Sequence, residues 1–168
     1  MTQESFDRSA GILMPVSSLP APYGIGTFGK SAYELVDKLV EARQKYWQVL
    51  PIGPTSFGDS PYASFSAFAG NPYFIDLDIL IEEGLLERNY VNSFMWNLED
   101  KYVDYGLIYN SRFKVLRTAF ENSNHFETEE YKKFLEENEF WLEDYCIYSA
   151  CKNKFSGTAW FDWDEDIK

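Results

Sequence analysis

Two short apolar runs, Ala10–Val16 and Tyr46–Ile52, bracket a stretch with helical periodicity, and that order limits the folds open to the chain. Each run is continuously hydrophobic rather than alternating, which suits a strand buried on both faces. Between them Ala32, Leu35, Val36, Leu39, Val40 and Arg43 fall on one helical stripe. Ser31 and Glu34 have the spacing of a capping box, which predicts a helix from Ser31. Strand, crossover helix and strand form a βαβ unit, so the two strands are expected to pair in parallel.

The loop after the second run is long, from Gly53 to Tyr73, and holds Pro54, Gly58, Pro61, Gly70 and Pro72. Structureless loops of that length are uncommon in a compact domain and are usually functional. Phe74–Leu77 reads as a short third strand, after which Asp78 would cap a brief helix ending at Gly84. The character then changes, with helices predicted at about 107–122, 128–137 and 139–154 and a break at Phe155-Ser-Gly157. The fold class expected is therefore α/β, with parallel strands in residues 1–84 and a mainly helical segment over 85–168.

The formal net charge is -12, which disfavours nucleic acid and anionic membrane surfaces as partners. The first eight residues lack a basic start and an apolar core and do not form a signal peptide, and no apolar run approaches the ~20 residues that span a bilayer. Cys146 and Cys151 lie on different faces of one predicted helix, unsuited to a disulfide, and are read as reduced, structural and cytoplasmic. Aromatic residues make up 18% of the chain, which fits either a ring-rich core or the binding of sugars through their apolar faces.

Gly24-Ile-Gly-Thr-Phe-Gly-Lys-Ser31 matches two phosphate-binding patterns, G-x-G-x-x-G and G-x-x-x-x-G-K-S. Both require the first glycine to follow a strand almost directly. Here Ser17–Tyr23, with two prolines, intervene, and the second strand ends in Leu50-Pro-Ile-Gly53 rather than an acidic residue. A tight turn into a helix accounts for these glycines better.

Three blocks are more specific. They are Gly11-Ile-Leu-Met-Pro-Val-Ser-Ser-Leu-Pro20 with Tyr23-Gly-Ile-Gly26, then Trp47-Gln-Val-Leu-Pro-Ile-Gly-Pro54, then Gly58-Asp-Ser-Pro-Tyr62 running on through Ser66-Ala-Phe-Ala-Gly-Asn-Pro72. Their order and spacing closely resemble the N-terminal region of the 4-α-glucanotransferases, the amylomaltase and disproportionating-enzyme family. The likeness is dense from Ser9 to Leu86 and returns weakly at Trp160. It implies the N-terminal part of a (β/α)8 TIM barrel with a helical inserted subdomain, and transfer of α-1,4-glucan segments between maltooligosaccharides with retention. It also implies no cofactor and no catalytic metal.

Retention needs two carboxyls about 5–5.5 Å apart, and the family's lie in later motifs that nothing here matches. The only histidine, His125, sits among polar residues and reads as solvated. A barrel of this kind takes roughly 200 to 400 residues, so the 168-residue chain is expected to be inactive alone. The alternative is a stand-alone, non-catalytic glucan-binding module. The edge of a two- or three-stranded parallel sheet is expected to be covered by another copy or by further chain.

By resemblance, Tyr62 stacks on the sugar beside the scissile bond and Ser60 offers a hydroxyl contact; from its own surroundings Tyr62 reads as a packing residue. Asp59 either contacts sugar or bonds nearby backbone amides. Phe57 stands where some members have a ring at a second glucan site, with Tyr105 as its other half. Trp47, inside the second run, is expected in the core.

Overall fold

The computed structural model describes residues 8–56, 58–99 and 101–167. They form two compact units that divide between Ser123 and Asn124.

In the first unit β1 (Gly11–Leu13) and β2 (Tyr46–Gln48) pair in parallel, with Ile12 opposite Trp47. The helix α1 (Lys30–Glu41) connects them. Both strands are shorter than their apolar runs. The ladder ends where the Met14 amide donates to the Gln48 carbonyl at 3.0 Å. Nor are the strands buried on both faces: Ile12 and Leu13 are 42% and 53% exposed. The cluster beside the sheet gathers Val16, Leu19 and Ala32, with Met14, Leu35, Trp47 and Phe74 packed against it. Trp47 is half-buried rather than enclosed, its indole N–H donating to the Met14 carbonyl at 2.8 Å.

The expected capping box is absent. Gly29 is the N-cap of α1, and the Ser31 hydroxyl turns away to donate to the Pro20 carbonyl at 2.6 Å. Of the predicted stripe, Ala32 and Leu39 are buried while Val40 is 68% exposed. The phosphate-loop reading fails on space. A Cβ on Gly26 would meet the Val16 carbonyl, and one on Gly29 would meet the Asp76 carboxylate, so these glycines admit neighbouring protein.

The third strand is not formed. Pro72–Phe74 make a 3-10 turn instead, because Pro72 presets a helical φ and the Asn71 side chain accepts the Tyr73 amide at 3.0 Å. Asp76, not Asp78, then caps α2 (Leu77–Glu82), its Oδ1 accepting from the Ile79 amide. Asp78 is left to pair with Arg88 at 2.7 Å and to accept from the Tyr23 hydroxyl at 3.0 Å. The helix ends at Gly84, as expected: φ there is +75, and the Gly84 and Leu85 amides donate back to Ile81 and Leu80. A short helix unforeseen in the sequence, α3 (Arg88–Asn92), follows. The helix α4 (Tyr105–Glu121) starts two residues earlier than predicted because Asp104 caps it, accepting from the Leu107 amide at 3.0 Å. The main core gathers Tyr23, Leu77, Leu86, Val91, Trp96, Val115 and Ala119.

In the second unit the two predicted helices are one, α5 (Glu129–Lys154). Asn138 does not interrupt it, since its side chain donates to the Phe134 carbonyl one turn back and accepts from the Trp141 indole. The helix stops at Phe155-Ser-Gly157, where Ser156 and Gly157 both take positive φ. Trp163 folds back, buried, and stacks on Phe155 with centroids 5.5 Å apart. His125 is exposed. Among the described residues no helix is long and apolar enough to cross a membrane.

Candidate functional site

The loop that follows β2 is closed at its neck by a backbone bond, Asn71 N–H to the Ile52 carbonyl at 2.8 Å. Within it, short polar side chains hold the backbone. Ser60 Oγ accepts the Tyr62 amide at 3.3 Å, Ser64 Oγ donates to the Ser66 carbonyl at 2.8 Å, and Ser66 Oγ accepts the Phe68 and Ala69 amides at 3.2 and 3.0 Å. Serine-centred turns of this kind give a loop internal structure without a core of its own. Gly53 completes the packing, because a Cβ there would lie 2.6 Å from Ser64 Oγ.

Two hollows flank this loop. The larger, about 780 Å3, is open and lined mainly by the loop itself, with Tyr62, Phe65 and Phe68 on its wall. Tyr62 is 75% exposed, so it is not the packing residue its surroundings in sequence suggested. The smaller, about 260 Å3, lies beyond the C-terminal ends of β1 and β2. Its polar lining comes from Ser17, Ser18, Thr55, Asp59, Asn71 and Tyr105.

The structure thus brings Asp59 and Tyr105 together in one cavity and places Tyr62 in the adjoining hollow. Ser60 lines neither and is engaged with the Tyr62 amide. Phe57 lies outside the described residues. The Asp59 backbone takes φ 54, in the left-handed region that Asp tolerates better than most residues. Four further polar residues of the small cavity had not been singled out, although Ser17 and Ser18 stand in the first sequence block and Asn71 in the third.

Burial dominates the electrostatics. It raises the Asp59 carboxyl above its ordinary value of 3.8. It also raises the Tyr105 phenol, with a smaller contribution from Asp59. Tyr73, behind the neck, is pushed up to about 12, first by burial and then by Asp59 and its tyrosine neighbours. Tyr73 and Tyr105 therefore stay neutral at physiological pH, and Tyr105 lines the cavity as an uncharged phenol. The Tyr73 ring lies 6.2 Å from Tyr105 and 5.6 Å from Phe113, which ties the neck to α4. Hydroxyls, an amide, a carboxyl and flat rings beside open space suit a polyhydroxylated ligand. Among the described residues no group of three or more His, Cys, Asp or Glu is placed to hold a metal ion.

The fold is shared with known proteins. An amylomaltase from Streptococcus agalactiae, solved in complex with acarbose, superposes with a TM-score of 0.88 at 43% identity, over 95% of this chain and 32% of that one. The 4-alpha-glucanotransferase of Clostridium butyricum is 54% identical over 155 residues, 92% of this chain and 32% of the relative. That of Thermus thermophilus is 44% identical over 160 residues, 93% of this chain and 31% of the relative. The chain spans about a third of the length of these relatives. The family model for 4-alpha-glucanotransferase matches residues 14–168, and the chain belongs to that family.

Proposed function

We propose that this chain supplies the first part of an enzyme that moves α-1,4-glucan segments between maltooligosaccharides with retention at the anomeric carbon. The observation that carries the reading is the cavity beyond the C-terminal ends of two parallel strands, where Asp59 and Tyr105 meet beside the exposed ring of Tyr62. Barrel enzymes build their sites at that end of the strands. On this reading residues 1–84 form the first βα units of a TIM barrel, and residues 85–168 belong to a mainly helical inserted subdomain. The exposed edges of the two-stranded sheet then pair with further strands of the barrel, or with another copy.

Tyr62 stacks on a glucose unit next to the bond that is cleaved, with Ser60 and Asp59 as polar contacts. Tyr105, together with Phe57, forms a second glucan contact. The acarbose bound by the Streptococcus agalactiae amylomaltase is a sugar-like ligand of the same general chemistry. Transfer itself requires a carboxylate nucleophile and a carboxylic acid/base about 5–5.5 Å apart, supplied by residues beyond this segment. No cofactor or metal takes part in that chemistry. The free cysteines Cys146 and Cys151 fit a reducing compartment, the cytoplasm.

Maltotriose disproportionation tests the reading. The full-length protein should convert maltotriose to glucose and longer maltodextrins, and the 168-residue chain alone should not. Activity in the short chain would place the reacting carboxyls within this segment and overturn the assignment.

A further inference from the structure

Arg112 is a buried arginine of the first unit whose placement the glucan site does not directly explain. It is 0% exposed, on the stripe of α4 that also buries Ile108, Val115 and Ala119. Its Nη2 donates to the Ile75 carbonyl, while Nε and Nη1 have no hydrogen-bond partner among the described residues. The guanidinium lies 6.0 Å from the centroid of the Trp96 ring. A buried guanidinium with two unpaired nitrogens is costly even with the Asp76 carboxylate favouring its charge, and an apolar side chain of similar length would fill the same volume. Packing alone therefore does not account for an arginine here.

The hydrogen bond it makes falls at a particular place. Ile75 closes the 3-10 turn of Pro72–Phe74, with its amide donating to the Pro72 carbonyl at 3.3 Å. The Phe74 amide donates to the Asn71 carbonyl, the Tyr73 amide to Asn71 Oδ1, and the Asn71 amide to Ile52 across the loop neck. Hydrogen bonds along the Asn71–Ile75 turn thus link α4 to the base of the loop that bears Asp59 and Tyr62.

We infer that Arg112 is a positioning residue: it fixes the returning limb of the 53–71 loop and so sets the register at which Asn71 closes the neck. The consequence for glucan binding rests on the function proposed above; the consequence for the loop does not.

Hydrogen exchange in the full-length protein, read by mass spectrometry on peptides covering Asn71–Phe74, separates the two. In Arg112→Met the neck amides should exchange about tenfold faster, the equilibrium weight of one hydrogen bond to a charged donor. Peptides from α1 should keep wild-type rates, and Arg112→Lys, which retains a donor, should restore slow exchange. Maltoheptaose should bind Arg112→Met about tenfold more weakly, with KM raised more than kcat is lowered. Wild-type exchange at the neck in Arg112→Met, or faster exchange spread evenly over the first unit, would overturn the inference. If Arg112→Met does not fold, Arg112→Gln is read the same way. If the wild-type protein binds no maltoheptaose, the proposed function falls and the exchange comparison still decides the role of Arg112.

Discussion

Asp59 and Tyr105, from the loop after β2 and the first turn of α4, line the same cavity of about 260 Å3, and the Asp59 carboxyl helps to raise the Tyr105 phenol. Their shared confinement makes the carboxyl a source of pH dependence. Its folded pKa lies above the ordinary value of 3.8, so the native state holds its proton more tightly than the unfolded chain does. The stability this brings is fully present below pH 3.8 and is lost as pH rises through the folded pKa. Asp59→Asn, which keeps the left-handed backbone accessible, should therefore melt higher than wild type at pH 7. The difference should vanish near pH 3, and a constant difference across that range would show that the carboxyl is not the cause.

Tyr73 makes the same case at high pH. Its phenol is held neutral up to about 12 against an ordinary value of 10.0, chiefly by burial. The stability it contributes is complete below pH 10 and declines as pH rises towards 12. Tyr73→Phe should lose less stability between pH 9 and 12 than wild type does, measured by urea unfolding at each pH.

Tyr62 should separate binding from folding. Because the side chain is 75% exposed, Tyr62→Ala should change unfolding free energy by no more than about 0.5 kcal/mol. A lost stacking contact of about 0.5–1.5 kcal/mol should weaken maltooligosaccharide binding by the full-length protein about two- to twelvefold. Tyr62→Phe, which keeps the ring, should bind almost as wild type in calorimetric titration. A large drop in stability with unchanged binding would return Tyr62 to a structural role.

Gly29 and Asp76 occupy space that cannot be shared with a methyl group. A Cβ on Gly29 would strike the carboxylate that accepts from Thr27 through Oδ2 and caps α2 through Oδ1. Gly29→Ala should cost about 1–3 kcal/mol, as overpacking does. Asp76→Ala relieves the clash, so the double variant should be more stable than the sum of the two single effects allows. Additive losses would mean that the two positions do not touch.

What could be read from the sequence follows from how local each determinant is. The parallel pair was legible because continuous apolar runs around a helical stripe admit few arrangements. The helix end at Gly84 was legible because a left-handed residue there is a local requirement. Asp76 and Asp78 are equally good caps by type, and only tertiary contacts, with Tyr23 and Arg88 engaging Asp78, leave Asp76 to the helix. Asn138 looked like a break because its own propensity is poor, whereas its side chain bonds to the preceding turn. Arg112 stands in the apolar stripe at helical spacing from Ile108, Val115 and Ala119, a signal carried by the spacing itself. The cavity joining Asp59 to Tyr105 could not be read, since it depends on how a long loop returns to a distant helix.

The loop between Ile52 and Asn71 is pinched off by the neck bond, and its serines bond to neighbours within it. Such a segment is close to a cassette. The entropy of closing a loop rises only slowly with its length, so a longer or shorter insert of different chemistry can be spliced at that neck while the strand pair and α4 keep their places. The chemistry carried by the loop can then vary without redesigning the scaffold beneath.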